Sequence, residues 1–492
     1  MPTGAEHWVF GHWAIGDLSL LFYSVEWLIR LVMLVYVPQR RTPAAARTWL
    51  LLIFLLPIPG LILYALFGRA FMPRKRLEMQ SRVSRMLQMQ PGPTWGERPD
   101  KGQLPRRFGE AGVLAERIGE FPIVGGNEIE LFPDYDESVA RLAADIRGAQ
   151  HHVHLLYYIF GDDAVGRVIE AALVDAVRRG VKCLLLIDAL GSRKAIATIC
   201  PRLRAAGVEV HVLLPGGLLR NLHRNAARYD LRNHRKIAVI DGAIGYVGSQ
   251  NLVDKAFIPP LVYEELVARV VGPVVKQLQA VVLADRYFET GTLPPRAETE
   301  KFFPSHATSD ACYAQALPSG PGYPQANNLR LITTLVYAAQ KRIILTTPYF
   351  VPDETLREAL IVAAQKGVEV RLIVSKQCDQ LLVGFAQRSF YEELLEAGVA
   401  IHLYRERFLH AKHLSVDDQV VQIGSSNLDI RSFALNAEIG LMIYDVGLAK
   451  RLRDVQLRYL EQSDVLTLDV WRRRPRYRRL LENVARLVDS IL

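Results

Sequence analysis

Two stretches of the chain share one frame. Residues 233–251 read NHRKIAVIDGAIGYVGSQN, and residues 409–427 read LHAKHLSVDDQVVQIGSSN. Each holds His-x-Lys, four residues, Asp, six residues, then Gly-Ser-x-Asn. Side chains at i and i+2 of a strand share a face. His234 and Lys236 are therefore expected to project together, and so are His410 and Lys412. A lysine offers a fixed positive charge and three donors, suited to a phosphate oxygen. A histidine can attack as a nucleophile or carry a proton near neutral pH. Two such faces around one phosphorus would supply an attacking imidazole, a second imidazole to protonate the leaving oxygen, and cations for the charged equatorial oxygens. One His-x-Lys alone is common on solvated surfaces; two inside the same extended frame are a strong signal.

The rest of the frame adds candidates. Ser249, Asn251, Ser425 and Asn427 can donate to a substrate, and Gly248 and Gly424 allow close backbone approach. Asp241 precedes Gly242 between two apolar runs, a hairpin-turn pattern, and Asp417 sits at the matching turn. A structural or charge-holding role suits these aspartates better than direct chemistry. Glu265, in VYEELVARV, and Glu438, in LNAEIGLMI, are the candidates for orienting the histidines; each follows the histidine of its half by roughly thirty residues, on the next apolar strand. A carboxylate accepting from one imidazole nitrogen decides which nitrogen reacts.

Alternating strands and helices must position these residues. HHVHLLYYIF (151–160) reads as a strand, AVGRVIEAALVDAVRRG (164–180) as a helix and VKCLLLID (181–188) as a buried strand. The order recurs: AQKRIILTTPYF (339–350) answers AQHHVHLLYYIF (149–160), and LLEAGVAIHLY (394–404) answers LRAAGVEVHVL (203–213). Self-similarity on this scale implies a duplicated α/β domain. His152 and His154 share a strand face beside His151, but no cysteine or carboxylate partner stands out, so they read as structural or surface residues. The four cysteines, Cys183, Cys200, Cys312 and Cys378, are scattered and imply neither a zinc site nor a disulfide framework.

At 492 residues the chain calls for two or three domains. Half its residues are hydrophobic, and 60 Lys and Arg against 51 Asp and Glu leave +9, which favours an anionic partner, nucleic acid or acidic lipid. The N-terminus favours lipid. Residues 18–37 and 48–67 are apolar stretches of spanning length. No Lys or Arg occurs in the first 29 residues, so a cleaved signal peptide is not expected. Glu26 and Arg30, four apart, should form a local ion pair near a helix contact. Pro57, Pro59 and Gly60 interrupt the second stretch, which reads as a kinked span or a re-entrant segment. Seven basic residues, Arg40, Arg41, Arg47, Arg69, Arg74, Lys75 and Arg76, lean toward a cytoplasmic body.

The paired frame resembles the phospholipase D superfamily. RNHRKIAVIDG, PSGPGYP (318–324), TTPYFVPDE and NLDIRSFALNAEIG, with two apolar segments ahead of a duplicated body, resemble its bacterial cardiolipin synthases. In place of the Trp-x-Asp type of sequence common after the first motif stands YEEL, where Glu264 competes with Glu265. The resemblance implies phosphatidyl transfer from one phosphatidylglycerol to another through a phosphohistidine, giving cardiolipin and glycerol without metal or cofactor. It implies His234 as nucleophile, His410 as acid and then base, and Asp241 and Asp417 as members of the motif. A lipid hydrolase using the same residues is the alternative, and a nuclease a remoter one. The implied partners are membrane lipids rather than nucleic acid, in a bacterial inner membrane crossed more than once; a homodimer is compatible with the sequence.

The expected organisation is a membrane region over 1–70, a linker or arm over 71–120, phospholipase D-like domains over 121–300 and 311–470, and a basic amphipathic tail over 471–492. The arginine run Arg220, Arg224, Arg228, Arg232 and Arg235 leads into the first motif and reads as either a solvated face or a headgroup-attracting rim. Trp471 and Tyr477 among the tail's arginines read as interfacial docking.

Overall fold

A computed structural model describes residues 10–41, 43–68, 78–80, 82, 95–100, 102–215, 231–304, 312–323 and 326–487. The chain divides into an N-terminal unit within residues 1–71 and a body within residues 72–216 and 231–489.

In the N-terminal unit, Phe10–Tyr36 is one helix, and its segment Ser19–Tyr36 is long and apolar enough to cross a membrane. The second apolar stretch is not one helix. It breaks at Leu56 into Pro43–Leu55 and Pro57–Phe67. Proline has no N–H to continue the first ladder, but suits the first turn of a new helix. At 1.5 Å per residue the pieces are about 20 and 16 Å long, each short of a bilayer core of about 30 Å. Met33, Val37, Trp49, Ile53 and Tyr64 form the unit's small core. Arg30 reaches Glu26 at 3.4 Å and donates to the Phe54 carbonyl at 3.2 Å, the local pair beside a helix contact that the spacing predicts.

The first half of the body contributes strands β1 (Val124–Phe132), β2 (His152–Tyr157), β3 (Lys182–Asp188), β4 (Glu209–Leu213), β5 (Arg232–Asn233), β6 (Lys236–Ile240), β7 (Ile244–Gly248), β8 (Tyr263–Glu264) and β9 (Val267–Val271). The second half contributes β10 (Cys312–Ser319), β11 (Arg342–Thr346), β12 (Phe350–Val351), β13 (Glu369–Ser375), β14 (Ala400–Tyr404), β15 (Phe408–Leu409), β16 (His413–Val416), β17 (Val420–Gly424), β18 (Leu428–Asp429), β19 (Asn436–Tyr444) and β20 (Ser463–Leu466).

Among the described residues, sixteen of these strands make one continuous sheet, in the order β20-β14-β13-β11-β16-β17-β19-β10-β1-β9-β7-β6-β2-β3-β4, with β5 paired to β19. The antiparallel β1–β10 pair is the seam. Outward from it, β9, β7, β6, β2, β3 and β4 answer β19, β17, β16, β11, β13 and β14, so the duplication is visible in the topology. Strands β2, β3 and β4 are mutually parallel, and β2 and β3 are almost wholly buried, as helix-covered strands are.

One expectation changes here and another is narrowed. Within 71–120, residues Arg106–Gly119 are a packed helix rather than linker: Phe108 and Ala111 are fully buried, and the Gln315 side chain donates to the Gly112 carbonyl. Pro105 is the N-cap of this helix. His152 and His154 are buried and structural. Their rings lie 4.7 Å apart against Phe302, and Gln279 meets His154 Nδ1 at 2.8 Å.

Candidate active site

Neither motif histidine lies within a strand. His234 sits in the break between β5 and β6, and His410 in the break between β15 and β16. The short strand ahead of each histidine leaves its own half. β5 pairs in parallel with β19, setting Asn233 beside Ala437, and the His234 N–H donates to the Ala437 carbonyl at 2.8 Å. β15 pairs with β8, setting Leu409 beside Glu264, and the His410 N–H donates to the Glu264 carbonyl at 2.8 Å. One residue further along each register, a histidine meets a glutamate of the opposite half.

His234 Nδ1 therefore lies 3.0 and 3.1 Å from the two carboxylate oxygens of Glu438, and His410 Nδ1 lies 2.7 Å from Glu265 Oε1. Each glutamate serves the histidine from which it is remote in sequence. With Nδ1 occupied by a carboxylate acceptor, Nε2 is the nitrogen left to react. Burial raises the Glu438 carboxyl, but His234 and Lys236 outweigh it and hold it below its ordinary range; His410 and Lys412 do the same for Glu265. Both carboxylates are thus ionised. Burial lowers His234 and takes His410 to about 4, so each imidazole rests neutral at pH 7 with a lone pair on Nε2.

The lysines are buried beside them. Lys236 Nζ donates to the His234 carbonyl at 2.6 Å, and Lys412 Nζ to the His410 carbonyl at 2.5 Å. Burial lowers Lys236 to about 7 and Lys412 to about 8, against the pull of Glu438 and Glu265. Each ammonium keeps two further donors, and a bound anion restores its charge.

The serines and glycines of the repeated frame hold the site rather than line it. Ser249 and Ser425, expected to bind substrate, are fully buried. The Ser425 hydroxyl donates to Glu438 at 2.5 Å and accepts from the Ile439 N–H; Ser249 accepts from the Leu266 N–H, next to Glu265. The glycine before each serine lets the strands close: a Cβ on Gly424 would stand 2.2 Å from the Ile439 carbonyl oxygen, and one on Gly248 2.3 Å from that of Leu266. Asn251 accepts from the Ile159 N–H at 3.1 Å, which leaves its amide group to donate. The buried Asn427 Oδ1 has no hydrogen-bond partner among the described residues.

Asp241 and Asp417 lie at the far ends of the strands. The five residues of β6 alone place Asp241 about 16 Å from Lys236. Asp241 accepts from the N–H groups of Gln150, His151 and His152 at 2.7–2.9 Å, and Asp417 from those of Gln340, Lys341 and Arg342 at the same distances. Both occupy left-handed turns, at φ 53° and 54°. They clamp the hairpin to the start of the neighbouring strand, away from the chemistry.

The arginine run is not a simple rim. Arg220, Arg224 and Arg228 lie outside the described residues, while Arg232 and Arg235 are buried because β5 is drawn in against β19. Arg235 pairs with Asp285 at 2.5 and 2.6 Å and donates to the Glu438 carbonyl at 3.0 Å, bracing the break that holds His234. Sequence reasoning passed over this brace. Its signal was Asp285, an acid in the apolar helix run QAVVLADRYF. The surroundings also differ: His234 meets the Tyr158 ring at 4.9 Å, whereas His410 lies between Phe408 at 6.0 Å and Tyr263 at 5.3 Å. Among the described residues, no group of three or more His, Cys, Asp or Glu could hold a metal ion.

A duplicated sheet with paired His-x-Lys sites defines a phospholipase D-like α/β protein. The model of the cardiolipin synthase PLD-like domain matches residues 142–286 and 332–458, and that of the phospholipase D–nuclease N-terminal domain matches 27–69. Cardiolipin synthase A of Pectobacterium carotovorum subsp. carotovorum is 36% identical, over 98% of each chain. That of Proteus mirabilis is 35% identical, over 96% of this chain and 99% of its own. The chain belongs to the cardiolipin synthase family of the phospholipase D superfamily. The crystal structure of phosphatidylserine synthase from Haemophilus influenzae Rd KW20 shares the fold, with a TM-score of 0.60 at 15% identity over 77% of this chain and 99% of that one.

Proposed function

We propose that the protein is a membrane-associated phosphatidyltransferase that makes cardiolipin from two molecules of phosphatidylglycerol. The observation that carries this is the pair of crossed His–Glu contacts with a buried lysine beside each histidine. The lysine ammoniums and the Asn251 amide take the phosphodiester's charged oxygens. His234 Nε2 attacks phosphorus while its Nδ1–H stays on Glu438. The phosphorus–oxygen bond to the terminal glycerol breaks, and the protonated Nε2 of His410 gives that oxygen its proton, releasing glycerol. A hydroxyl of a second phosphatidylglycerol then passes its proton to His410 Nε2 and attacks. The phosphorus–nitrogen bond breaks, freeing His234 and cardiolipin and restoring the proton on His410. The anionic diester favours the protonated form of His410 that this cycle needs. Assigning His234 as nucleophile follows from the resemblance of the first motif, because the two sites are close copies.

The full chain in nanodiscs containing phosphatidylglycerol as the sole reactive lipid tests the activity. Cardiolipin and glycerol should appear in equal amounts. Phosphatidic acid as the main product would replace this reading with a hydrolase.

We place the body on the cytoplasmic face. The break at Leu56 favours a re-entrant second stretch over a second crossing, and this keeps all seven N-terminal basic residues on one side. Protease should reach the body in inverted vesicles and not in sealed right-side-out ones; the opposite pattern would reverse the topology.

A further inference from the structure

The C-terminal helix Arg476–Arg486 is mounted with its apolar stripe outward. Tyr477, Leu480, Leu481, Val484 and Leu487 recur at helical spacing and lie 60, 64, 46, 53 and 63% exposed. An amphipathic helix on a globular body ordinarily turns that stripe inward. Here the inward face carries Glu482 and Ala485, both buried. Glu482 is held by Arg474 at 2.9 Å and Arg388 at 3.6 Å, and Arg486 meets Glu393 at 3.2 Å. Ion pairs thus fix the helix against the neighbouring helix Leu381–Ser389 and leave the apolar side exposed. That neighbour adds Leu381, 75% exposed, and Leu382.

The patch adjoins the site. Leu381 follows by two residues Asp379, which accepts from the Tyr349 hydroxyl at 2.7 Å and the Tyr263 hydroxyl at 3.4 Å. The Tyr263 ring lies edge-on to His410. Phe257, Leu261 and Val383 pack on the cluster that holds Tyr263, Tyr349 and Phe408, and Ile258 is exposed beside them. Phe257 meets the Tyr263 ring at 4.7 Å, so this segment and, through Asp379, the start of the helix Leu381–Ser389 are tied to the aromatic neighbours of the second histidine.

We infer that this patch docks into an anionic lipid surface and sets the His410 side of the site against the headgroup layer. Charge selects the occupant. Arg473, Arg476 and Arg478 are exposed next to the stripe and have no carboxylate partner among the described residues. A symmetric contact with a second copy would bring these arginines face to face, at a cost. An anionic bilayer neutralises them while the stripe enters the acyl boundary.

The test uses the full chain with Cys312 and Cys378 replaced by serine and a spin label at position 480, 484 or 450. Lys450 is an exposed control on another helix. In nanodiscs containing phosphatidylglycerol, labels at 480 and 484 should be oxygen-accessible and shielded from a water-soluble nickel chelate, while the label at 450 stays exposed to the chelate. The combined variant Leu480→Ser, Leu481→Ser and Val484→Ser alters exposed positions only. It should raise the apparent KM for bilayer substrate severalfold and leave turnover of a monomeric short-chain phosphatidylglycerol unchanged. Labels at 480 and 484 behaving like the one at 450 would overturn the proposal. So would shielding that persists in lipid-free detergent with spin–spin broadening, the signature of a second copy. The labelling readout does not require turnover, so docking without cardiolipin formation would uphold this inference and defeat the catalytic one.

Discussion

Glu438 and His234 are 204 residues apart in the chain and 3.0 Å apart in space. The contact crosses the seam between the halves, and the reciprocal contact of Glu265 with His410 crosses it the other way, over 145 residues. Neither half pairs its motif histidine with a glutamate of its own.

On the proposed mechanism, the crossing assigns each carboxylate to a step. Glu438→Gln should slow loading of His234 whatever the leaving group. Glu265→Gln should slow loading only when the leaving oxygen needs a proton. With a phosphatidyl ester of nitrophenol, Glu265→Gln should load at close to the native rate, and Glu438→Gln about 10²–10⁴-fold more slowly, the range for a lost acid–base partner. The burst of nitrophenol measures this. The reverse ranking would assign the carboxylates to the opposite steps.

His234→Ala and His410→Ala should each reduce cardiolipin synthesis to background in protein that still folds, and the double variant should be little worse, because the two act as a unit. With the nitrophenyl donor, His410→Ala should accumulate a phosphatidyl adduct and His234→Ala none. Peptide mapping at neutral or basic pH locates it; an adduct on His410 would exchange the two roles.

The buried lysines give activity and stability opposite pH slopes. Capture of an anionic headgroup needs the ammonium form, so kcat/KM should fall as pH rises through about 7 and 8, where Lys236 and Lys412 titrate in the free protein. Both native values lie below the ordinary 10.5, so between them and 10.5 the unfolded chain binds more protons and stability rises with pH. Lys236→Met should therefore raise Tm near pH 7 while abolishing turnover, the gain shrinking as pH approaches 10.5. A kcat/KM that stays flat to pH 9.5 would contradict the lysine assignment.

Asp241→Asn and Asp417→Asn should behave as structural changes. Each weakens a clamp of three N–H donors, at a cost of about 1–3 kcal/mol. Thermal unfolding should register the loss, while kcat of the folded fraction stays near the native value. A fall in kcat by orders of magnitude with unchanged Tm would return the aspartates to the chemistry.

Much of this protein is legible in its residues alone. Strand and helix periodicities, the doubled frame around His234 and His410, and the apolar N-terminus are local patterns, and local patterns survive in a one-dimensional reading. Duplication makes them stronger, since chance seldom writes Gly-Ser-x-Asn twice at one distance from His-x-Lys. What the tertiary structure alone decides are choices between equivalent partners. Spacing of roughly thirty residues nominates Glu265 and Glu438 but cannot say which histidine each serves; the parallel registers of β5 on β19 and β15 on β8 decide that. A polar residue beside a catalytic motif looks the same in sequence whether it faces substrate or backbone. So Ser249 and Ser425 moved to the support of the glutamates, and Arg235 moved from the surface to the core. The C-terminal helix makes the same point from outside: its period announces an apolar face, but only the ion pairs of Glu482 determine that the face points away from the body.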